Sequence, residues 1–208
     1  MTTEVKICGL TNLSDAECAR DAGADYLGFV LYAGSRRGIE PATLRAIAEK
    51  LDGTAKLVGV FVNMAREQIV RIAHDCGLTA VQLHGDEVYT AYRSMGVQTW
   101  RAVKFEADGL APAPAKWPVA RYVVDAAVPG TYGGSGQPAD WRAAAEFARS
   151  HPVMLAGGLT PANVAAAIRE VRPLGVDVAS GVEKEPGRKD HGRVLAFVKS
   201  AKAEQGSD

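Results

Sequence analysis

Cys8, His84 and Asp125 each follow a short apolar run, where a parallel strand would release its last side chain into a pocket. A thiol and a carboxyl group facing one pocket make a base-and-acid pair for proton transfer. The free thiol ionises at about 8.5, so a positive neighbour is needed to hold it as thiolate. Lys6, two residues earlier and therefore on the same face of a strand, is a candidate for that neighbour. A lone cysteine usually only packs. An acid closing the run Tyr122-Val123-Val124 needs a partner or a function, and the two residues together favour chemistry.

A second pattern concerns an anion. Leu155-Ala156-Gly157-Gly158-Leu159 and Asp177-Val178-Ala179-Ser180-Gly181-Val182 are apolar runs that break into small residues, where backbone N–H groups can approach an anion unobstructed. Thr160-Pro161-Ala162-Asn163 then reads as a helix start with proline first. Two such strand ends late in an alternating chain are where an eight-stranded α/β barrel builds its phosphate site, which favours a phosphorylated small-molecule substrate. The loop Tyr32–Gly38 holds Arg36 and Arg37, either of which could grip a planar carboxylate through two parallel hydrogen bonds. The glycine-rich stretch from Pro129 to Gly136, with Gly133 and Gly134, has the composition of a mobile lid.

These side chains need elements to carry them. β-branched runs predict strands at Glu4–Cys8, Asp25–Val30, Lys56–Val62, Ala80–His84, Thr99–Lys104, Arg121–Asp125, Val153–Ala156 and Gly175–Ala179. Alanine-rich amphipathic stretches predict helices at Ser14–Ala22, Pro41–Leu51, Ala65–Cys76, Asp86–Met95, Pro138–Ser150, Pro161–Val171 and Asp190–Ala203. The connection Glu106–Pro118 carries three prolines, so its helix should be short or missing. Eight strands alternating with helices predict an α/β fold, a (β/α)8 TIM barrel with its site at the carboxyl ends of the strands. Parity puts Lys6 with Cys8, Val123 with Asp125, Gln82 with His84 and Asp177 with Ala179, the first two pairs inside the barrel. Lys6 and Asp177 sit on strands that become neighbours on closure, so an interior ion pair is expected between them.

At 208 residues the chain suits one sizeable core, read as a barrel over residues 1–203 with a disordered tail at 204–208. Lys plus Arg and Asp plus Glu each number 24, which gives no basic surplus for nucleic acid. No apolar run reaches membrane-spanning length and the start lacks a signal peptide, so a soluble, cytoplasmic protein is expected. The three cysteines show no disulfide pattern, and the four histidines show no metal-ligand spacing. Monomer and homodimer both stay open.

The segments Lys6-Ile7-Cys8-Gly9-Leu10-Thr11, Gly59-Val60-Phe61-Val62-Asn63, Val81-Gln82-Leu83-His84-Gly85, Asp125 with Gly133-Gly134-Ser135-Gly136, Ala156-Gly157-Gly158-Leu159, Ser180-Gly181-Val182-Glu183 and Pro186-Gly187-Arg188-Lys189-Asp190 follow one another in this order. Taken together they resemble the phosphoribosylanthranilate isomerases of tryptophan biosynthesis, from the first strand to the last helix. The resemblance implies an Amadori rearrangement of N-(5-phosphoribosyl)anthranilate without metal or cofactor. It further implies Cys8 as general base, Asp125 as general acid and Arg37 as the partner of the anthranilate carboxylate. Phosphate would rest on backbone amides around Gly157, Gly158, Ser180 and Gly181, with Gln82, His84, Gly133, Gly134 and Asp177 among the substrate-binding residues.

Three positions depart from the family pattern: Ala179 where serine is common, Gly38 after Arg37 in a loop lacking its usual proline near Ala33, and Ala126 where a hydroxyl residue is frequent. Two rivals compete with the isomerase. Another phosphosugar enzyme on this barrel would need clustered metal ligands or a Schiff-base lysine at a strand end. A non-catalytic binding protein would have no reason to keep Cys8 and Asp125 together.

Overall fold

The computed structural model describes residues 3–106, 109–124 and 141–204. Eight strands carry the architecture: β1 (Glu4–Ile7), β2 (Tyr26–Val30), β3 (Lys56–Phe61), β4 (Ala80–Leu83), β5 (Gln98–Glu106), β6 (Arg121–Val124), β7 (Val153–Leu155) and β8 (Gly175–Val178). Every neighbouring pair is parallel, and β8 returns to β1 with Lys6 opposite Asp177. The sheet therefore closes on itself as the alternating sequence predicts. Around it lie α1 (Leu13–Asp21), α2 (Pro41–Leu51), α3 (Arg66–Asp75), α4 (Tyr89–Tyr92), α5 (Trp141–Ala148), α6 (Val164–Val171) and α7 (His191–Ala203).

Strand periodicity sorts the side chains into two cores. Val5, Ile7, Leu27, Phe29, Val81, Leu83, Val124 and Val176 point outward and pack beneath the helices. Tyr26, Val58, Ala80, Trp100, Val123, Met154 and Ala156 form the separate interior cluster. At the amino ends of the strands Arg121 grips Glu4 through Nε and Nη2 at 2.9 and 2.8 Å and lies 5.2 Å over the Trp100 ring. That arrangement stoppers the lower end and leaves the carboxyl ends for the site.

Helix starts follow local chemistry. The Asn12 side chain accepts from Asp15 N at 2.9 Å to cap α1, and Asp190 accepts from Arg193 N at 3.0 Å to cap α7. Three expectations need correction. Helix α6 begins at Val164, because Pro161–Asn163 form a turn held by the Asn163 side chain. The predicted helix Asp86–Met95 shrinks to Tyr89–Tyr92, since Glu87 is buried and accepts from the amides of Asn63 and Gly85. After β5 the chain doubles back as an antiparallel strand, Gly109–Ala111, that the proline count did not foretell. The short helix expected in that connection is a single turn at Pro114–Lys116.

Asp125, Ala126, the stretch 129–136 with Gly133 and Gly134, and the start of the helix predicted from Pro138 lie outside the described residues, as do 205–208 of the tail. Glu204, the last described residue, pairs with Arg169 at 2.6 Å.

Candidate active site

The carboxyl ends of the strands surround an open cavity of about 800 Å³, counted out into its mouth. Cys8 lies at its floor, one residue beyond β1, where its N–H donates to Val178 O at 2.8 Å and extends the ladder by one bond. The neighbouring strand makes room for it by having no side chain. A Cβ on Gly28 would stand 2.9 Å from both Cys8 Sγ and Lys6 Cε. Gly28 was not singled out from the sequence, where glycine in mid-strand signals such a close approach.

Lys6 is fully buried and bonded on two sides, to Asp177 Oδ2 at 2.9 Å and Gln82 Oε1 at 3.0 Å. The expected ion pair is thus present. Burial opposes its charge, but Asp177 and Cys8 together hold the ammonium above its usual pKa. For Cys8 the balance goes the other way: burial pushes the thiol up, and the charge and hydrogen bond of Lys6 offset only part of it, because Asp177 also raises it. Lys6 is therefore the expected neighbour, yet it does not bring the thiol below its ordinary value. Asp177 Oδ1 is buried and makes no hydrogen bond among the described residues.

Gln82 and His84 stand together on the opposite wall, 3.2 Å apart from Nε2 to Nδ1. Burial, then the charges of Lys6 and Arg101, push the His84 pKa down to about 4. The ring is neutral at pH 7.

Gly157, Gly158, Ser180 and Gly181 line the far side of the cavity. Gly157 and Gly158 have φ of +85° and +67°, a conformation L side chains rarely adopt. Asn163 fixes the turn after them, accepting from Thr160 N at 2.7 Å and donating to Gly158 O at 3.0 Å. The second segment abuts the first so closely that a Cβ on Gly181 would lie 1.9 Å from Leu159 O.

Of the two loop arginines, Arg37 lines the cavity and Arg36 is exposed. Arg37 donates from Nε to Glu183 Oε1 at 2.8 Å and from Nη2 to Glu183 Oε2 at 2.7 Å. Lys189 Nζ also donates to Glu183 Oε1 at 2.9 Å, and to Ala179 O at 3.0 Å. Although burial works against its charge, these two cations hold the Glu183 carboxyl below its usual range. Residue types near the family motifs named Glu183 and Lys189 but gave no sign of this pairing, which joins residues 146 apart in sequence.

At the second and third strands the wall is apolar, formed by Val30, Val60 and Val62 with Tyr32. The cavity lining thus combines an apolar wall at β2 and β3, a guanidinium, glycine segments suited to an anion, with Gly157 and Gly158 across the barrel from β3, and a thiol.

Residues 5–200 match the family described as N-(5'phosphoribosyl)anthranilate (PRA) isomerase. A relative from Magnetococcus marinus, named N-(5'-phosphoribosyl)anthranilate isomerase, is 41% identical over 99% of this chain and 98% of its own. One of the same name from a Roseiflexus species is 48% identical over 96% and 97%. Among solved structures, phosphoribosyl anthranilate isomerase from Thermus thermophilus superposes with a TM-score of 0.86 at 35% identity, covering 97% of this chain and 99% of that one. A phosphoribosyl anthranilate isomerase in complex with reduced 1-(o-carboxyphenylamino)-1-deoxyribulose 5-phosphate gives 0.81 at 37% identity, with the same coverage.

Proposed function

The chain belongs to the N-(5'-phosphoribosyl)anthranilate isomerase family, and on that premise we propose how its own residues divide the work. It is an aldose–ketose isomerase of tryptophan biosynthesis that converts N-(5-phosphoribosyl)anthranilate to 1-(2-carboxyphenylamino)-1-deoxyribulose 5-phosphate. The observation that carries the assignment of roles is the polarity of the cavity, with the apolar Val60 and Val62 at the end of β3 on one side, Arg37 in the same lining, and Gly157 and Gly158 after β7 across the barrel on the other. An anthranilate ring with its carboxylate suits the first end and a phosphate the second. The sugar carbons then lie over Cys8.

Asp125 is the general acid. It delivers a proton to the furanose oxygen while the anilino nitrogen lone pair opens the ring to an iminium ion. Cys8 is the general base: although burial favours its thiol, the fraction ionised beside Lys6 removes the proton from sugar C2, leaving an enolamine that tautomerises to the ketone. The two side chains need only move protons, because the substrate supplies the electron pair. Arg37 is already held by Glu183 along its Nε–Nη2 edge. A guanidinium has five N–H groups, so its Nη1–Nη2 edge can still grip a second carboxylate in parallel fashion. Gly157, Gly158, Ser180 and Gly181 offer backbone amides to the phosphate. Gly133 and Gly134 are further substrate-binding residues on this reading, and His84, Gln82 and Asp177 belong to the wall and floor.

The same reading makes residues 1–203 one catalytic domain working in the cytoplasm. Among the described residues no helix is long and apolar enough to cross a membrane, and all three cysteines are free. Turnover of freshly generated phosphoribosylanthranilate, followed by loss of its fluorescence, tests the assignment together with rescue of a tryptophan auxotroph lacking this isomerase. A metal-dependent epimerase, a lyase or a binding protein would do neither.

A further inference from the structure

Four polar side chains cross the barrel floor in one row, and each fixes the orientation of the next. Asp177 Oδ2 accepts from Lys6 Nζ at 2.9 Å, and the same ammonium donates to Gln82 Oε1 at 3.0 Å. An ammonium has donors only, so the group that Gln82 turns toward Lys6 must be its amide oxygen. Its Nε2 is thereby turned to His84, 3.2 Å from Nδ1. An amide nitrogen only donates, so Nδ1 must accept and carries no hydrogen. The proton of the neutral ring belongs on Nε2.

We propose that Gln82 is a positioning residue that locks His84 in the Nε2–H tautomer, so that His84 meets the substrate as a neutral hydrogen-bond donor to one of its oxygens. The cationic neighbours Lys6 and Arg101 outweigh Asp177 and Glu87 and discourage a second proton on the ring. The lock matters because His84 lines the same cavity as Cys8. With Nε2 as an acceptor, His84 would be a second base competing for the sugar proton; as an imidazolium it would bring charge into a cavity whose cation is already Arg37. Held as a neutral donor it does neither. The part played toward substrate rests on the isomerase reading, whereas the tautomer does not.

The test is two-bond 1H–15N spectroscopy of the histidine rings in the full chain, with His84 assigned by its loss in His84→Gln. The expected wild-type pattern is a protonated Nε2 and an unprotonated Nδ1, unchanged down to about pH 5. Gln82→Glu places a carboxylate between Lys6 and the ring, so Nδ1 should gain a hydrogen, by tautomer exchange or by formation of the imidazolium. Gln82→Met should give a mixture of both tautomers. Gln82→Glu should raise KM for phosphoribosylanthranilate about three- to tenfold where the tautomer exchanges, the effect of one lost hydrogen bond. Gln82→Met should raise it only about twofold, since a mixture keeps part of the donor tautomer, with kcat less affected in both. In the His84→Gln background Gln82→Met should add little. A wild-type ring protonated on Nδ1 overturns the proposal without any variant, and so does an unchanged ring pattern in Gln82→Glu. If the tautomer is as stated and the protein does not turn over phosphoribosylanthranilate, only the isomerase reading falls.

Discussion

Lys6 Nζ and Asp177 Oδ2 meet at 2.9 Å across the seam where the first and last barrel strands pair. The lysine side chain is wholly buried and the aspartate 7% exposed, so neither charge can be left to water if its partner is removed. Lys6→Met should therefore destabilise the fold by about 3–5 kcal/mol. The charge-free double variant Lys6→Met with Asp177→Asn should lose well under the sum of the two single losses. Urea unfolding of all four proteins measures the coupling, and additive losses would refute the pairing.

Cys8→Ala and Asp125→Asn should each lower kcat by roughly 10²–10⁴-fold, the usual contribution of a general acid or base. Binding of a reduced product analogue should stay close to wild type, because both groups act on transferred protons. Titration calorimetry beside steady-state kinetics separates the two quantities. A large loss of analogue affinity in either variant would make that residue a binding group instead.

The interior of the barrel was legible because strand side chains alternate. From parity alone Lys6 and Cys8 face inward and Gln82 shares a face with His84; the structure puts all four on the inside. Strand ends were overestimated by one residue at Cys8, His84, Ala156 and Ala179, which follow the last paired position of each strand. Side-chain pairing that reaches outside the strands was what the sequence hid. Glu183 reads as one more acid after a glycine turn, and only the approach of the second-strand loop makes it the partner of Arg37. Helix α4 failed for a related reason, since Glu87 looks like a solvated helix residue until Arg101 is found against it.

The two glycine segments of the anion cradle should not tolerate side chains equally. At Gly158 alanine would have to adopt φ of +67°, a backbone strain of about 1–2 kcal/mol. At Gly181 the added Cβ would sit 1.9 Å from Leu159 O, a backbone atom that cannot swing aside. Gly181→Ala should thus push the segments apart and raise KM more than Gly158→Ala does. Thermal unfolding and KM measured on the same preparations rank them, and the reverse order would mean the anion sits on the Gly157–Gly158 turn alone.

His84 gives the protein a stability window in pH. Its folded pKa of about 4 lies below the ordinary 6.5, so the unfolded chain binds more protons between those values. Its contribution is complete above about pH 6.5 and is lost as the pH falls toward 4. Asp15 and Glu183, both held below their usual range, keep their contributions until lower pH, because those are lost only as the pH falls through their own folded values. His84→Asn should flatten the decline between pH 6.5 and 4 and leave the steeper acid limb below it. Urea midpoints across that range give the slope directly. An unchanged slope would mean that the ring protonates freely in the folded state.

Arg37, and not Arg36, should hold the anthranilate carboxylate. Arg37 faces the cavity with Glu183 fixing one edge of its guanidinium, while Arg36 is exposed. Removing Arg37 would leave a desolvated carboxylate unpaired in the complex, and Arg37→Ala should weaken substrate binding by roughly 2–5 kcal/mol. Lysine should restore only part, since a point charge cannot reproduce two parallel bonds. The same changes at Arg36 should be nearly silent. Arg37→Ala also strips Glu183 of a partner, so a purely structural loss must be told apart from a binding loss. Glu183→Gln supplies that control: it keeps an acceptor for the guanidinium but loses the charge, and should alter stability more than affinity. If Glu183→Gln weakens binding as much as Arg37→Ala does, the carboxylate depends on how Arg37 is held as much as on its presence. If Arg37→Ala binds normally, the carboxylate is gripped elsewhere.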